Sequence, residues 1–198
     1  MNREELIREL DRYAAGDPAE AEALARMRRF VSSPGDPFSR DNPEGHVTGS
    51  AVVARPDGSA FLLVHHRKLE RWLQPGGHAE KTDVSVFDTA LREAREETGV
   101  SDFQTPIGRE ILDVDVHAIP ARRRDPAHSH FDVRYLLTSS APHEPSRAED
   151  PARPMLWLPL ESALQAGVDA SFARALRKAR ALLARESLAV GREDDRTR

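Results

Sequence analysis

The segment Arg92-Glu93-Ala94-Arg95-Glu96-Glu97-Thr98-Gly99 constrains the fold more than any other stretch of the chain. Positions 93, 96 and 97 stand at i, i+3 and i+4, so a helix places all three carboxylates on one face. Phe87, Leu91, Ala94 and Thr98 fall on the opposite side, which needs an apolar surface to cover it. Residues 86–98 are therefore expected as a helix packed on a sheet, with Ser85 as its N-cap. Each close pair of like charges on such a face costs about 0.2–0.5 kcal/mol even when exposed. A bound hard cation removes that cost, and Mg²⁺ takes oxygen ligands and fills the rest of its shell with water and phosphate oxygens. Arg92, four residues before Glu96, can buttress the cluster. A solvated acidic face accounts for the same residues without a metal, and this segment by itself leaves both open.

The surrounding pattern supplies the sheet. From His46 the apolar period changes to two, and HVTGSAVVA and SAFLLVHH read as strands joined by the turn Pro56-Asp57-Gly58. Pro75-Gly76-Gly77 reads as a tight turn where backbone can approach a ligand closely. Strand-like segments follow near 109–119 and 130–138, and MLWLPL leads into a short helix near 160–166. Helices are expected over 3–14 (Leu6, Leu10, Tyr13 and Ala14 inward) and from Pro18 to about Val31 (Leu24, Met27 and Val31 inward). Asp17 is the cap of the second. A last helix over about 169–186 buries Phe172, Leu176, Ala179 and Leu183. No regular strand-helix-strand alternation appears, so an α/β sandwich is expected rather than a doubly wound sheet. The chain divides into a helical N-terminal extension (1–45), a central domain (46–187) and a disordered tail (188–198).

Composition removes several functional classes. The 198 residues include no cysteine, which excludes disulfides, thiolate metal sites and cysteine nucleophiles. A net charge of −4 and few aromatics argue against a basic nucleic-acid groove. No apolar run reaches the length of a membrane span and the first residues lack a signal core, so a cytoplasmic protein is expected.

With the helix and its glycine turn in place, the sequence resembles the Nudix hydrolase superfamily. That family's signature is G-x5-E-x7-R-E-U-x-E-E-x-G-U, where U is a bulky apolar residue. Gly77, Arg92, Glu93, Glu96, Glu97, Gly99 and Val100 match, and Ala94 is a weak match. Asp83 stands where the family has glutamate, and eight residues rather than seven separate it from Arg92. The resemblance implies a Nudix-type α/β/α sandwich with a mixed sheet, extended by N-terminal helices and a C-terminal helix. It also implies Mg²⁺-dependent (or Mn²⁺-dependent) hydrolysis of a diphosphate linkage in a nucleoside diphosphate joined to another group. Glu93, Glu96 and Glu97 are then the metal ligands, with the Gly76 carbonyl joining them. Arg92 orients the carboxylates with Asp83 as its partner. A carboxylate takes the proton from water: Glu96, Glu97, or Glu149 or Asp150 on the loop before Trp157-Leu158-Pro159-Leu160. The implied partner is a small nucleotide-type diphosphate, with a homodimer as a candidate assembly. A catalytically silent nucleotide-binding module of the same fold is the alternative, although the carboxylate triplet is complete. The Nudix-fold prenyl diphosphate isomerases use a cysteine nucleophile, which this chain lacks.

A second polar cluster lies outside that motif. Asp113, Asp115 and His117 alternate along one strand, and His128, His130, Asp132 and Arg134 along another. Paired as a hairpin, they converge. Histidine and carboxylate together suit substrate hydroxyls and phosphates, or a transition metal such as Mn²⁺ or Zn²⁺, or simply a wet sheet face. Asp115, His117, His128, His130 and Asp132, together with His78 beside the glycine turn, are taken as candidate substrate contacts.

Overall fold

The computed structural model describes residues 1–67, 69–122, 126–141 and 148–195, with side chains as far as residue 186. The class is α/β as expected, with helices at both ends of the chain. The elements are α1 (Arg3–Arg12), α2 (Pro18–Ser32), β1 (Gly45–Ala54), β2 (Phe61–His66), β3 (Arg71–Leu73), β4 (Gly76–His78) and α3 (Val86–Thr98). They continue with β5 (Ile111–Ile119), β6 (His128–Thr138), β7 (Met155–Leu158), α4 (Leu160–Gln165) and α5 (Ala170–Asp195). The chain forms two compact units. One comprises Met1–Ala51, Gly76–Ala94 and Arg109–Tyr135, and the other Val52–Pro75, Arg95–Gly108 and Leu136–Arg198. β1, α3 and β6 each run from the first into the second.

In the first unit the strand order is β5-β6-β1, with β4 on β1. His117 faces His130 and Asp115 faces Asp132 across the β5–β6 ladder. Thr48 pairs with His78, and Ser50 with Gly76, across β1–β4. Because side chains alternate along a strand, His46, Thr48, Ser50, His78, His130 and Asp132 share one face. The other face carries Phe131, Val133 and Tyr135, and helices cover it. Phe30 of α2 stacks on Phe131 at 3.9 Å, and Phe87 of α3 meets Tyr135 edge-on at 5.3 Å. A Cβ on Gly49 would stand 2.6 Å from the Val86 carbonyl oxygen, so glycine there lets α3 settle directly on β1.

The N-terminal helices form as their caps and apolar stripes dictate. Asn2 caps α1 and Asp17 caps α2, with Pro18 in the first turn. Leu6, Leu10, Leu24, Met27 and Val31 are buried as expected. α1 ends at Arg12, short of the expected residue 14, and Ala14 is exposed. Tyr13 explains the early stop. Its backbone turns extended, and its hydroxyl donates to the Leu112 carbonyl (2.9 Å) and to the buried Glu20 carboxylate.

In the second unit β2 pairs with the end of β1, with β3 and with β7. The β1–β2 turn is the expected one. Arg55 N–H donates to the Ala60 carbonyl at 2.8 Å, and Gly58 takes φ +68°, a conformation glycine adopts at little cost. Phe172, Leu176, Ala179 and Leu183 of α5 are buried as their spacing requires. α5 runs to Asp195 and so takes in residues 188–195 of the expected tail, while residues 196–198 lie outside the described residues. Among the described residues no helix is long and apolar enough to cross a membrane.

Candidate active site

α3 opens on a reciprocal cap. Ser85 Oγ accepts from Asp88 N–H (3.2 Å), and Asp88 Oδ2 accepts from the Ser85 N–H (3.0 Å) and hydroxyl (2.9 Å). The helix closes at Gly99, whose φ of +70° turns the chain away while its N–H still donates to the Arg95 carbonyl at 2.9 Å. Between these ends Phe87, Ala90, Ala94 and Thr98 are buried, and Leu91 is half-buried. Glu93, Glu96 and Glu97 lie together on the remaining face of this single helix.

Arg92 organises the start of that face. Its Nε and Nη2 donate to Asp83 Oδ1 (3.1 Å) and Oδ2 (3.0 Å). Nη2 also donates to the His78 carbonyl (2.8 Å), and Nη1 to Glu93 Oε1 (3.0 Å). Asp83 is 5% exposed and also accepts from the Thr89 hydroxyl (3.0 Å) and the Glu80 N–H (2.9 Å). Burial raises its carboxyl pKa, but the Arg92 hydrogen bonds and charge and the other two donors outweigh that and hold it below the ordinary value. The shorter side chain and the extra loop residue therefore still deliver a carboxylate to Arg92.

The glycine pair proves to be strand rather than a bare turn. Gly76 and Gly77 sit in β4 and are glycine for space. A Cβ at 76 would stand 2.2 Å from Ser50 Oγ, and one at 77 would stand 2.4 Å from Glu93 Oε1. The Glu93 carboxylate thus lies against bare backbone.

In the second unit, Glu97 is ion-paired with Arg153. The Glu149 N–H donates to the Glu96 carbonyl at 2.7 Å, which brings the loop before β7 against the end of α3. Asp150 points elsewhere and meets Arg67 at 3.5 Å. Pro159 caps α4 directly after β7, and Trp157 packs under Arg55, whose guanidinium carbon lies 3.7 Å from the ring centre.

The polar strand face separates into two parts. Asp132, Asp113 and Arg134 form a buried network. Asp132 Oδ1 accepts from Thr48 Oγ1 (2.8 Å) and Ser50 Oγ (2.7 Å), and its Oδ2 accepts from Arg134 Nε (3.0 Å). Arg134, 2% exposed, also donates to Asp113 (3.2 Å) and lies 3.6 Å from Asp115. His117 is bonded to Asp115 at 3.0 Å. Burial lowers its pKa, but the Asp115 bond and the Asp132 and Asp115 charges more than compensate, so the net shift is upward.

The second part is histidine. His78 Nε2 and His130 Nε2 are 3.4 Å apart, and the His46 ring packs 4.8 Å from each of theirs. His128 lies 5.0 Å from His46, its Nδ1 against the Pro126 carbonyl at 2.9 Å. Burial, then neighbouring imidazoles and Arg40, pushes His46 and His78 down to about 4; burial and four surrounding histidines push His130 to about 2. All three are neutral at pH 7. Sequence reasoning missed His46. Its only signal was its parity with Thr48 and Ser50 on β1, which means nothing until β4 and β6 are known to flank that strand.

A family model described as NUDIX domain matches residues 45–179. Among solved structures, a C. elegans Ap4A hydrolase is 18% identical, with 70% of this chain and 97% of that one covered at a TM-score of 0.48. The MutT NUDIX hydrolase from Burkholderia pseudomallei is 22% identical (67% and 95% covered, TM-score 0.48). The E. coli dihydroneopterin triphosphate pyrophosphohydrolase is 15% identical (67% and 92%, TM-score 0.47). No curated protein sequence matches this one.

Proposed function

This chain belongs to the Nudix family, and from that premise we propose that it hydrolyses a diphosphate linkage in a nucleotide-type substrate with the help of Mg²⁺ or Mn²⁺. Residues 46–187 are taken as the hydrolase domain and residues 1–45 as its helical extension.

The observation that carries this reading is the Arg92 fork. One guanidinium ties Asp83, the His78 carbonyl and Glu93 together at the foot of the carboxylate face. Three carboxylates within two helical turns offer oxygen donors only, which suits a hard cation, and the bare backbone at Gly77 leaves the Glu93 carboxylate its space. Glu93, Glu96 and Glu97, with the Gly76 carbonyl, are the residues that would hold the ion. When bound, it would neutralise charge developing on the leaving phosphate and make water a better nucleophile.

The chain's own groups do the rest. Water attacks phosphorus, an oxygen–phosphorus bond forms, the bridging bond breaks, and its electron pair leaves with the departing phosphate. The proton passes to a carboxylate, and Glu96, Glu97 and Glu149 are the candidates. Arg92 is a positioning residue: its guanidinium holds the Glu93 carboxylate against Asp83 and the His78 carbonyl.

A phosphate-release screen over nucleotide sugars, dinucleoside polyphosphates, ADP-ribose and oxidised nucleotides, run with Mg²⁺ and with Mn²⁺, tests the proposal. Metal-dependent turnover of at least one class, lost in Glu96→Gln, supports it. Tight nucleotide binding without turnover would favour the binding-module alternative, toward which the Arg153–Glu97 ion pair points.

A further inference from the structure

We propose that His46, His78 and His130 form a second, nitrogen-lined metal site for a borderline divalent transition ion, Zn²⁺ foremost, on the sheet face opposite α3.

The three histidines come from β1, β4 and β6, all within the first unit. One ring nitrogen from each can be chosen so that all three lie within 4.8 Å of one another. Two imidazole nitrogens bound to a common Zn²⁺ at about 2.05 Å with tetrahedral angles stand about 3.3 Å apart. The His78 and His130 Nε2 atoms are already 3.4 Å apart. Two neutral nitrogens at that distance gain at most one hydrogen bond, whereas both can donate lone pairs to a metal.

His46 supplies the independent observation. It is 3% exposed, and neither ring nitrogen has a hydrogen-bond partner among the described residues. Leaving a buried polar atom unpaired costs about 1–3 kcal/mol, and native structures rarely accept it without a reason. A packing role would be filled more cheaply by an apolar ring. A metal at the centre of the trio satisfies one of those nitrogens and gives the burial a cause.

Chemistry separates this site from the carboxylate helix. Imidazole nitrogen favours Zn²⁺, Co²⁺, Ni²⁺ or Cu²⁺ over Mg²⁺, and no carboxylate belongs to the trio. The β1–β4 ladder explains the geometry. His78 pairs with Thr48, one alternation from His46, while Gly77 faces the other way toward Glu93. Three protein ligands leave a fourth position for water or for His128, the next ring along. Clamping β1, β4 and β6 together, the ion would stabilise the first unit by mass action. The inference does not depend on the hydrolase reading.

The test uses full-length, tag-free protein, stripped with a chelator at neutral pH and titrated with Zn²⁺, and with Co²⁺ as a spectroscopic probe. Retained metal is counted by elemental analysis after desalting. The expected result is one Zn²⁺ retained per chain, a rise in Tm on its addition, and intense visible Co²⁺ bands of a tetrahedral nitrogen site. His78→Gln and His130→Gln, at half-buried positions that should fold, each weaken binding by on the order of 100-fold or more and abolish those bands. His46→Phe, which fills the same space, does the same. The Glu93→Gln/Glu96→Gln variant still retains the ion. No stoichiometric retention by the wild type, retention unchanged in all three histidine variants, or loss only in the carboxylate variant would each overturn the proposal.

Discussion

Arg92 and Asp83 meet as a two-pronged ion pair, Nε to Oδ1 at 3.1 Å and Nη2 to Oδ2 at 3.0 Å, beneath the carboxylate face of α3. Removing Asp83 takes away two of the hydrogen bonds of a largely buried guanidinium and leaves it Glu93 and the His78 carbonyl. Asp83→Ala is expected to cost about 2–4 kcal/mol in chemical denaturation and to lower kcat through the loosened Glu93. The folded-state pKa of Asp83 lies below its unfolded value. Its contribution is therefore present above about pH 4 and is lost as pH falls through the depressed value, so Asp83→Asn should flatten the acid limb of the stability curve. An unchanged acid limb would count against the pair.

Glu96→Gln and Glu97→Gln should each lower turnover by about 100-fold or more in saturating Mg²⁺ while leaving circular dichroism and Tm close to wild type. Both side chains are half-buried on α3 and Glu97 is paired with Arg153, and because the change is nearly isosteric and keeps a hydrogen-bonding oxygen, the loss would be chiefly one of charge. Steady-state kinetics on any substrate the screen identifies decides it. Near-normal rates in both variants would remove the carboxylate face from the mechanism.

Gly77→Ala should separate activity from stability. Its Cβ would sit 2.4 Å from Glu93 Oε1, so the flexible carboxylate gives way before the strand does. An activity loss of roughly tenfold with a stability change under about 1.5 kcal/mol is expected. A variant that keeps full activity would mean that Glu93 has no required position.

Asp132→Ala should be the most destabilising of these changes, at about 3–5 kcal/mol. It leaves Arg134, 2% exposed, with one of its buried carboxylates gone, and it strips the Thr48 and Ser50 hydroxyls of their acceptor. Urea denaturation measures it. A loss below about 1 kcal/mol would show that the network is wetter than its burial indicates.

Metal-free protein should lose stability as pH falls below about 6.5. His46 and His78 titrate at about 4 and His130 at about 2 in the fold, below the ordinary histidine value. Between those limits the unfolded chain binds more protons than the folded one, so stability falls with pH by up to about 1.4 kcal/mol per pH unit for each histidine involved. Arg40 and His128 face the same cluster and strengthen the effect, whereas His117 depresses His130 but, with its own pKa raised by Asp115 and Asp132, offsets part of the loss. His130→Phe should shallow the slope between pH 6.5 and 4 in thermal melts at fixed ionic strength. Equal slopes for variant and wild type would contradict the neutral cluster.

The amino-acid sequence by itself determined whatever depends on neighbours along the chain. Glu93, Glu96 and Glu97 share a face because a helix repeats every 3.6 residues, Ser85 and Gly99 end that helix, and Gly58 turns the first hairpin. Asp83 could be named as the partner of Arg92 because it lies only nine positions earlier, across a short loop and the first two helical turns. Tertiary structure alone decided which strands became neighbours. β4 was legible only as a glycine turn, since three residues carry no periodicity, and nothing local shows that Gly76 must clear Ser50 or Gly77 must clear Glu93. His46, His78 and His130 are separated by 32 and 52 residues of sequence. No spacing rule links them; only the registry of β1 with β4, and the placing of β6 on the other side of β1, brings their rings together.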